Sequence, residues 1–230
     1  MVVDKEEYAK LAKMASKYEG KDIEDIKRSF LNIAEQNPED LSSATNMVDS
    51  MKGEYGDKVA VRLASTISTF AKKYNTDASV RFSGKYREVL NGYGKKIVEV
   101  LAGDLMFLSI VKPEEFDRVS SIFSDEVIKN RIGEYKKEDT GRYVTNAIVA
   151  TESCAHNKGR VVSNALLLSN FNEKDVAKIA EDLISIARHM PEAKFTKLVE
   201  GMKSYEGKKE GKILRKDLHK IEKEYHNQLN

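Results

Sequence analysis

Apolar residues recur every three or four positions along almost the whole chain, the spacing that gathers them on one face of an α-helix. Tyr8, Leu11, Ala15 and Tyr18 define a first such face, and Asp4 with Glu7 three residues later forms a capping-box pattern in front of it. Ile23, Ile26, Phe30, Ile33 and Ala34 make a second face, closed by Pro38. Leu41, Ala44, Met47, Val48 and Met51 make a third, and Val59, Leu63, Ile67, Phe70 and Tyr74 a fourth. Val80, Tyr86, Val89 and Leu90 continue the series, followed by the apolar run Ile97 to Val111. Pro113, at its favoured first-turn position, opens a seventh helix carrying Phe116, Val119, Ile122, Phe123 and Val127. Further helices are predicted over 139–155 and 159–169, from the cap Asn172 to Met190 before Pro191, and over 192–204 and 210–228. Period-two alternation is nowhere sustained, so the chain is predicted to be all-α with about twelve helices.

The connections recur as well. Tyr18-Glu19-Gly20-Lys21, Tyr55-Gly56-Asp57-Lys58 and Tyr93-Gly94-Lys95-Lys96 are spaced by 37 and 38 residues. Tyr135-Lys136-Lys137 follows after 42, Phe171 after 36 and Tyr205-Glu206-Gly207-Lys208 after 34. Glycine at such a place supplies the left-handed residue that stops a helix. A tyrosine beside it can cover the turn with its ring and keep its hydroxyl in water. A period near this length belongs to stacked helix hairpins. The expected fold is therefore a set of antiparallel helix pairs in a right-handed α-solenoid-like array. It would form a single domain over 1–230, with sub-units at 1–112 and 113–230. A compact, non-repeating helical bundle is the alternative that the same pattern allows.

Three stretches resemble the motif of HEAT-type helical repeats, in which an Asp stands shortly before a Val-Arg pair and small residues follow. Asp77-Ala78-Ser79-Val80-Arg81 with Ser83 and Gly84 has this form. Asp57-Lys58-Val59-Ala60-Val61-Arg62 with Ala64 has it with one extra residue, and Arg160-Val161-Val162-Ser163-Asn164-Ala165 is a looser version. The first two lie 20 residues apart and so fall on consecutive helices, whereas the family places the motif once per helix pair. The resemblance implies a scaffold fold. Such arrays serve mostly to bind proteins and in a minority of cases bind nucleic acid.

Composition removes several classes. A hydrophobic fraction of 40% with 33% charged residues is globular and is not the profile of a disordered chain. The one cysteine, Cys154, can form neither an internal disulfide nor a thiolate-rich metal site, which suits a reducing compartment. The N-terminus lacks a basic region followed by an apolar run, so no signal peptide is expected. The Ile97–Val111 run contains Glu99 and Asp104 and is too short to span a bilayer. A cytoplasmic protein with no membrane partner is expected.

Catalytic constellations are missing. His156, His189, His219 and His226 include no His-Glu-x-x-His arrangement and no Glu-x-x-His pair. Gly92-Tyr93-Gly94-Lys95-Lys96 lacks the spacing of a phosphate loop, and no serine sits in a Gly-x-Ser-x-Gly elbow. Glu152 and His156, four residues apart around Cys154, read as an ordinary surface pair beside a half-buried thiol. No cofactor and no metal are called for, and the expected role is a non-catalytic scaffold that binds a protein partner.

Charge adds a second reading. The net charge is only +2, but residues 58–112 hold 10 Lys/Arg against 4 Asp/Glu. Within that block Lys72, Lys73, Arg81, Lys85, Arg87, Lys95 and Lys96 interleave with Tyr74, Phe82, Tyr86 and Tyr93. Cations that neutralise phosphates beside aromatics that stack on bases would make a nucleic-acid surface. The same residues would equally form a solvated face whose aromatics point into the core. Near the C-terminus Leu214, Leu218, Ile221 and Tyr225 form a narrow apolar stripe among lysines, suited to capping the preceding helix pair.

Overall fold

A computed structural model describes residues 5–18, 20–71, 83–154 and 158–229. Among them are thirteen α-helices and no strand. They are α1 Lys5–Ala15, α2 Lys21–Gln36, α3 Leu41–Tyr55, α4 Asp57–Phe70, α5 Ser83–Leu90, α6 Lys95–Val111 and α7 Pro113–Phe123. The series continues with α8 Glu126–Gly133, α9 Glu138–Cys154, α10 Gly159–Ser163, α11 Glu173–His189, α12 Glu192–Gly201 and α13 Lys208–Leu229. Short 3₁₀ turns stand at Pro38–Asp40 and Met202–Ser204, and a π-turn at Asn164–Leu168. No helix of the described residues is long and apolar enough to cross a membrane.

The seventh predicted helix is two helices. The periodicity runs through to Val127, but the chain breaks at Ser124 and Asp125. The Asp125 carboxylate accepts hydrogen bonds from the amides of Val127 and Ile128, with Asp125 itself in extended conformation. That is an N-cap, and it starts α8 as a separate helix. Val127 consequently lies 58% exposed, although its spacing fits a core position. Asn172 caps α11 as expected, accepting from the Asp175 amide, and Pro113 opens α7. The capping pair Asp4 and Glu7 lies where the structure describes no side chains.

The aromatic corners all fall at helix ends or between helices, yet their chemistry differs from the expectation. Gly20 and Gly56 have positive φ, 58° and 91°. At the third corner the left-handed residue is Gly92 (φ 89°) rather than Gly94, and Gly207 is not left-handed either. The Tyr18 hydroxyl is not in water. The residue is 2% exposed, and its oxygen has no hydrogen-bond partner among the described residues. Burial pushes the phenol well above its ordinary pKa, and the Lys52 ammonium lies over the ring, 3.9 Å from its centre.

The chain divides into two compact units. Residues up to Leu90 with Leu101–Phe116 make the first, and Asn91–Val100 with Asp117 onward make the second. The boundary differs from a cut at residue 112 because the chain crosses between units within α6 and within α7. In the first unit α2 packs on α4. Ile26, Phe30 and Ile33 are buried there along with Leu63 and Ile67. Asn32 reaches from α2 to the Ser68 carbonyl and hydroxyl of α4, 36 residues on. Phe70 meets Phe107 with ring centres 5.3 Å apart.

In the second unit α9 packs on α11 and α11 on α13. Val144, Ile148, Ile179, Leu183, Leu214 and Leu218 are buried among these three helices' core residues. Leu214 and Leu218 of the C-terminal stripe are thus buried on the helix that packs against α11, while Ile221 and Tyr225 are half-buried. Polar contacts in this unit also join positions about one helix pair apart. Arg118 pairs with Glu152 at a separation of 34, the Lys137 amide with Glu173 at 36, and Ser169 with the Tyr205 carbonyl at 36.

Candidate functional site

Helix α11 has two faces. Val176, Ile179, Ala180, Leu183, Ile186 and Ala187 are buried. Opposite them Lys174, Lys178, Glu181, Ser185, Arg188 and His189 line a cleft of about 900 Å³ in the second unit. Tyr143 and Asn146 of α9 form one wall, and Arg215, Lys216, His219 and Glu222 of α13 the other. Asp182 sits at the seam between the two faces, buried yet part of the cleft lining.

Ion pairs organise the walls. Arg215 Nη1 lies 2.9 Å from Asp175 Oδ1, a carboxylate only 6% exposed, and so ties α13 to α11. Lys178 Nζ lies 2.5 Å from Glu181 Oε2 on the same helix. His219 Nδ1 stands 3.3 Å from Glu222 Oε2 and 3.6 Å from Asp182 Oδ1. Burial pushes the Asp182 carboxyl up to about 6, and the neighbouring Glu222 charge adds to the rise, while His219 and Lys178 oppose it. Lys174, Arg188 and Lys216 are exposed and have no ion-pair partner among the described residues. The cleft therefore offers unneutralised cations on its rim and a buried carboxylate deeper in.

Of the seven basic residues predicted from sequence, four lie among the described residues. Lys72, Lys73 and Arg81, with Tyr74 and Phe82, lie outside the described residues. Lys85 and Arg87 sit on α5 in the first unit, and Lys95 and Lys96 in the first turn of α6 in the second. Arg87 Nε is 3.1 Å from Glu54 Oε2, and its guanidinium also donates to the Ser50 hydroxyl. Lys85 Nζ lies 5.9 Å from the centre of the Phe116 ring. The aromatics are occupied. Tyr86 is 2% exposed, while Tyr93 packs edge-on against Phe123 and donates its hydroxyl to the Phe123 carbonyl at 2.8 Å. Neither ring is free to stack on a base.

Glu152 is not the surface residue its spacing suggested. It is 2% exposed; Oε1 accepts from Arg118 Nε and Oε2 from the Gly159 amide, both at 2.8 Å. It fastens α7, α9 and the start of α10 together. His156 lies outside the described residues, and Cys154 is half-buried.

Sequence reasoning missed the cleft. Part of its signal was present, since His219 and Glu222 are three apart and share a helix face. The partner carboxylate, Asp182, is 37 residues away, and only the packing of α13 on α11 brings it near. Comparison with protein-family models, with curated proteins and with solved structures finds no match to this chain.

Proposed function

We propose that the chain is a non-catalytic helical-repeat scaffold that binds a protein partner, with the cleft of α9, α11 and α13 as its binding face. The observation that carries this reading is the packing of alternate helices, α2 with α4 and α9 with α11 with α13. Polar contacts at separations of 34 and 36 residues accompany it. Both features are what a stack of hairpins produces, because each hairpin covers the apolar flank of the next. Such stacks present one helix from each hairpin on a common face, which is where scaffolds of this type engage their ligands. Here that face carries Lys174, Arg188 and Lys216 without ionic partners among the described residues, so an acidic segment of the bound protein is the complementary chemistry.

The test is a photoreactive amino acid placed at Ser185, in the cleft, with the protein expressed in its native cells. A discrete protein adduct is expected, and Lys174→Glu, Arg188→Glu and Lys216→Glu together should remove it. Absence of any protein adduct would refute the reading, and an adduct to nucleic acid would replace the partner class. Turnover of a metabolite by the purified chain would overturn the non-catalytic part.

A further inference from the structure

We propose that Asp182, His219 and Glu222 bind a single divalent transition-metal ion of the Zn²⁺ type, bracing α13 to α11 within the cleft. The three residues each offer one ligand atom, and these atoms lie within 4.8 Å of one another. Metal–donor bonds of about 2.1 Å at tetrahedral angles set donors about 3.4 Å apart. The imidazole Nδ1 is 3.3 Å from Glu222 Oε2 and 3.6 Å from Asp182 Oδ1, which brackets that edge length.

A second, independent observation is the state of Asp182. Its side chain is 8% exposed and faces the His219 imidazole. The imidazole nitrogen at 3.6 Å is beyond hydrogen-bonding reach. A buried carboxylate is costly to keep charged, and a cation between it and the two α13 side chains lowers that cost. The nearby cations fill the role only in part, through Lys178 and His219. Lys178 is engaged by Glu181 and Arg215 by Asp175, while Lys216 and Arg188 extend from exposed positions. One imidazole with two carboxylates favours a borderline ion such as Zn²⁺ over Mg²⁺, which prefers all-oxygen octahedral sites. Three protein ligands leave a coordination position open to water or to an acidic group of a bound molecule.

This site stands or falls independently of the scaffold reading, since it needs only the cleft of the second unit. Titrating ZnCl₂ into the purified full chain at neutral pH, followed by calorimetry, should show one saturable equivalent, and MgCl₂ should show none. His219→Ala and Glu222→Gln should each weaken zinc binding by about tenfold or more, whereas His189→Ala should leave it unchanged. His219 is 53% exposed and Glu222 27%, so both substitutions leave the core intact. In a ¹⁵N spectrum of the imidazoles, zinc should shift the Nδ1 resonance of His219. The inference is overturned if the wild-type chain binds no zinc saturably or binds magnesium equally well. It is also overturned if His219→Ala binds like wild type or a different histidine takes the shift. Zinc binding without a cross-linked partner would sink the scaffold reading alone.

Discussion

Replacing Glu152 with alanine removes two hydrogen-bonded contacts at once, to the Arg118 guanidinium and to the buried Gly159 amide. Removing one member of a buried ion pair costs roughly 3–5 kcal/mol, because the remaining charge loses its partner. The Arg118 side chain is 33% exposed and regains some water, which puts this case at the lower end. The Gly159 amide has no such recourse, and an orphaned buried amide costs roughly 1–3 kcal/mol. The two contacts share one carboxylate, so the costs do not add in full, which places the loss at about 3–4 kcal/mol. Glu152→Gln keeps the shape but turns an NH₂ group towards one of the two donors, so it should still lose about 2 kcal/mol. Glu54→Ala is the contrast. Its pair with Arg87 has side chains 42% and 48% exposed, and such surface pairs contribute roughly 0–1 kcal/mol. Urea unfolding followed by far-ultraviolet circular dichroism measures all three, and melting should fall by about 6–16 °C for Glu152→Ala. A loss for Glu152→Ala no larger than that for Glu54→Ala would refute the role given to this carboxylate.

Two glycines in and beside α3 should respond in opposite directions to alanine. Gly56 has φ 91° and ψ 176°, a region open essentially to glycine alone, so Gly56→Ala should cost on the order of 1–3 kcal/mol. Gly53 lies inside the helix with nothing within 4 Å of an added Cβ, so Gly53→Ala should stabilise by about 0.5–1 kcal/mol. Urea midpoints that move in the same direction would contradict this. Burial pushes the Asp104 carboxyl from its ordinary 3.8 up to about 6, with Arg62 opposing the rise. The folded chain therefore holds this proton more tightly than the unfolded chain, and the group's contribution to stability falls as pH rises through that window. The loss is on the order of 3 kcal/mol and is complete above about pH 6. Asp104→Asn should remove it, so the difference between wild-type and variant stability should change between pH 4 and 7, and a constant difference would refute the assignment.

Local spacing determined most of the secondary structure. Helix periodicity, Pro113 and the Asn172 cap are set by residues within one turn of each other, which is why α2, α3, α4, α7 and α11 were legible from residue order. The corners at Tyr18 and Tyr55 were legible as breaks for the same reason, since Gly20 and Gly56 take the positive φ at which a helix stops. The start of α8 was legible in principle, but the apolar rhythm through Val127 masked the Asp125 cap.

What the sequence could not supply was which faces meet. Glu152 and Asp182 look like ordinary polar positions on their helices, and burial made one a structural fastener and the other a candidate ligand. Tyr86 and Tyr93 sit among lysines in the chain but point into packed interiors. Residue order fixes the side of a helix on which a group stands, because that depends on a short local period. Only tertiary packing decides whether that side meets water, another helix or a charge 37 residues away, since those energies arise between segments and leave no local pattern.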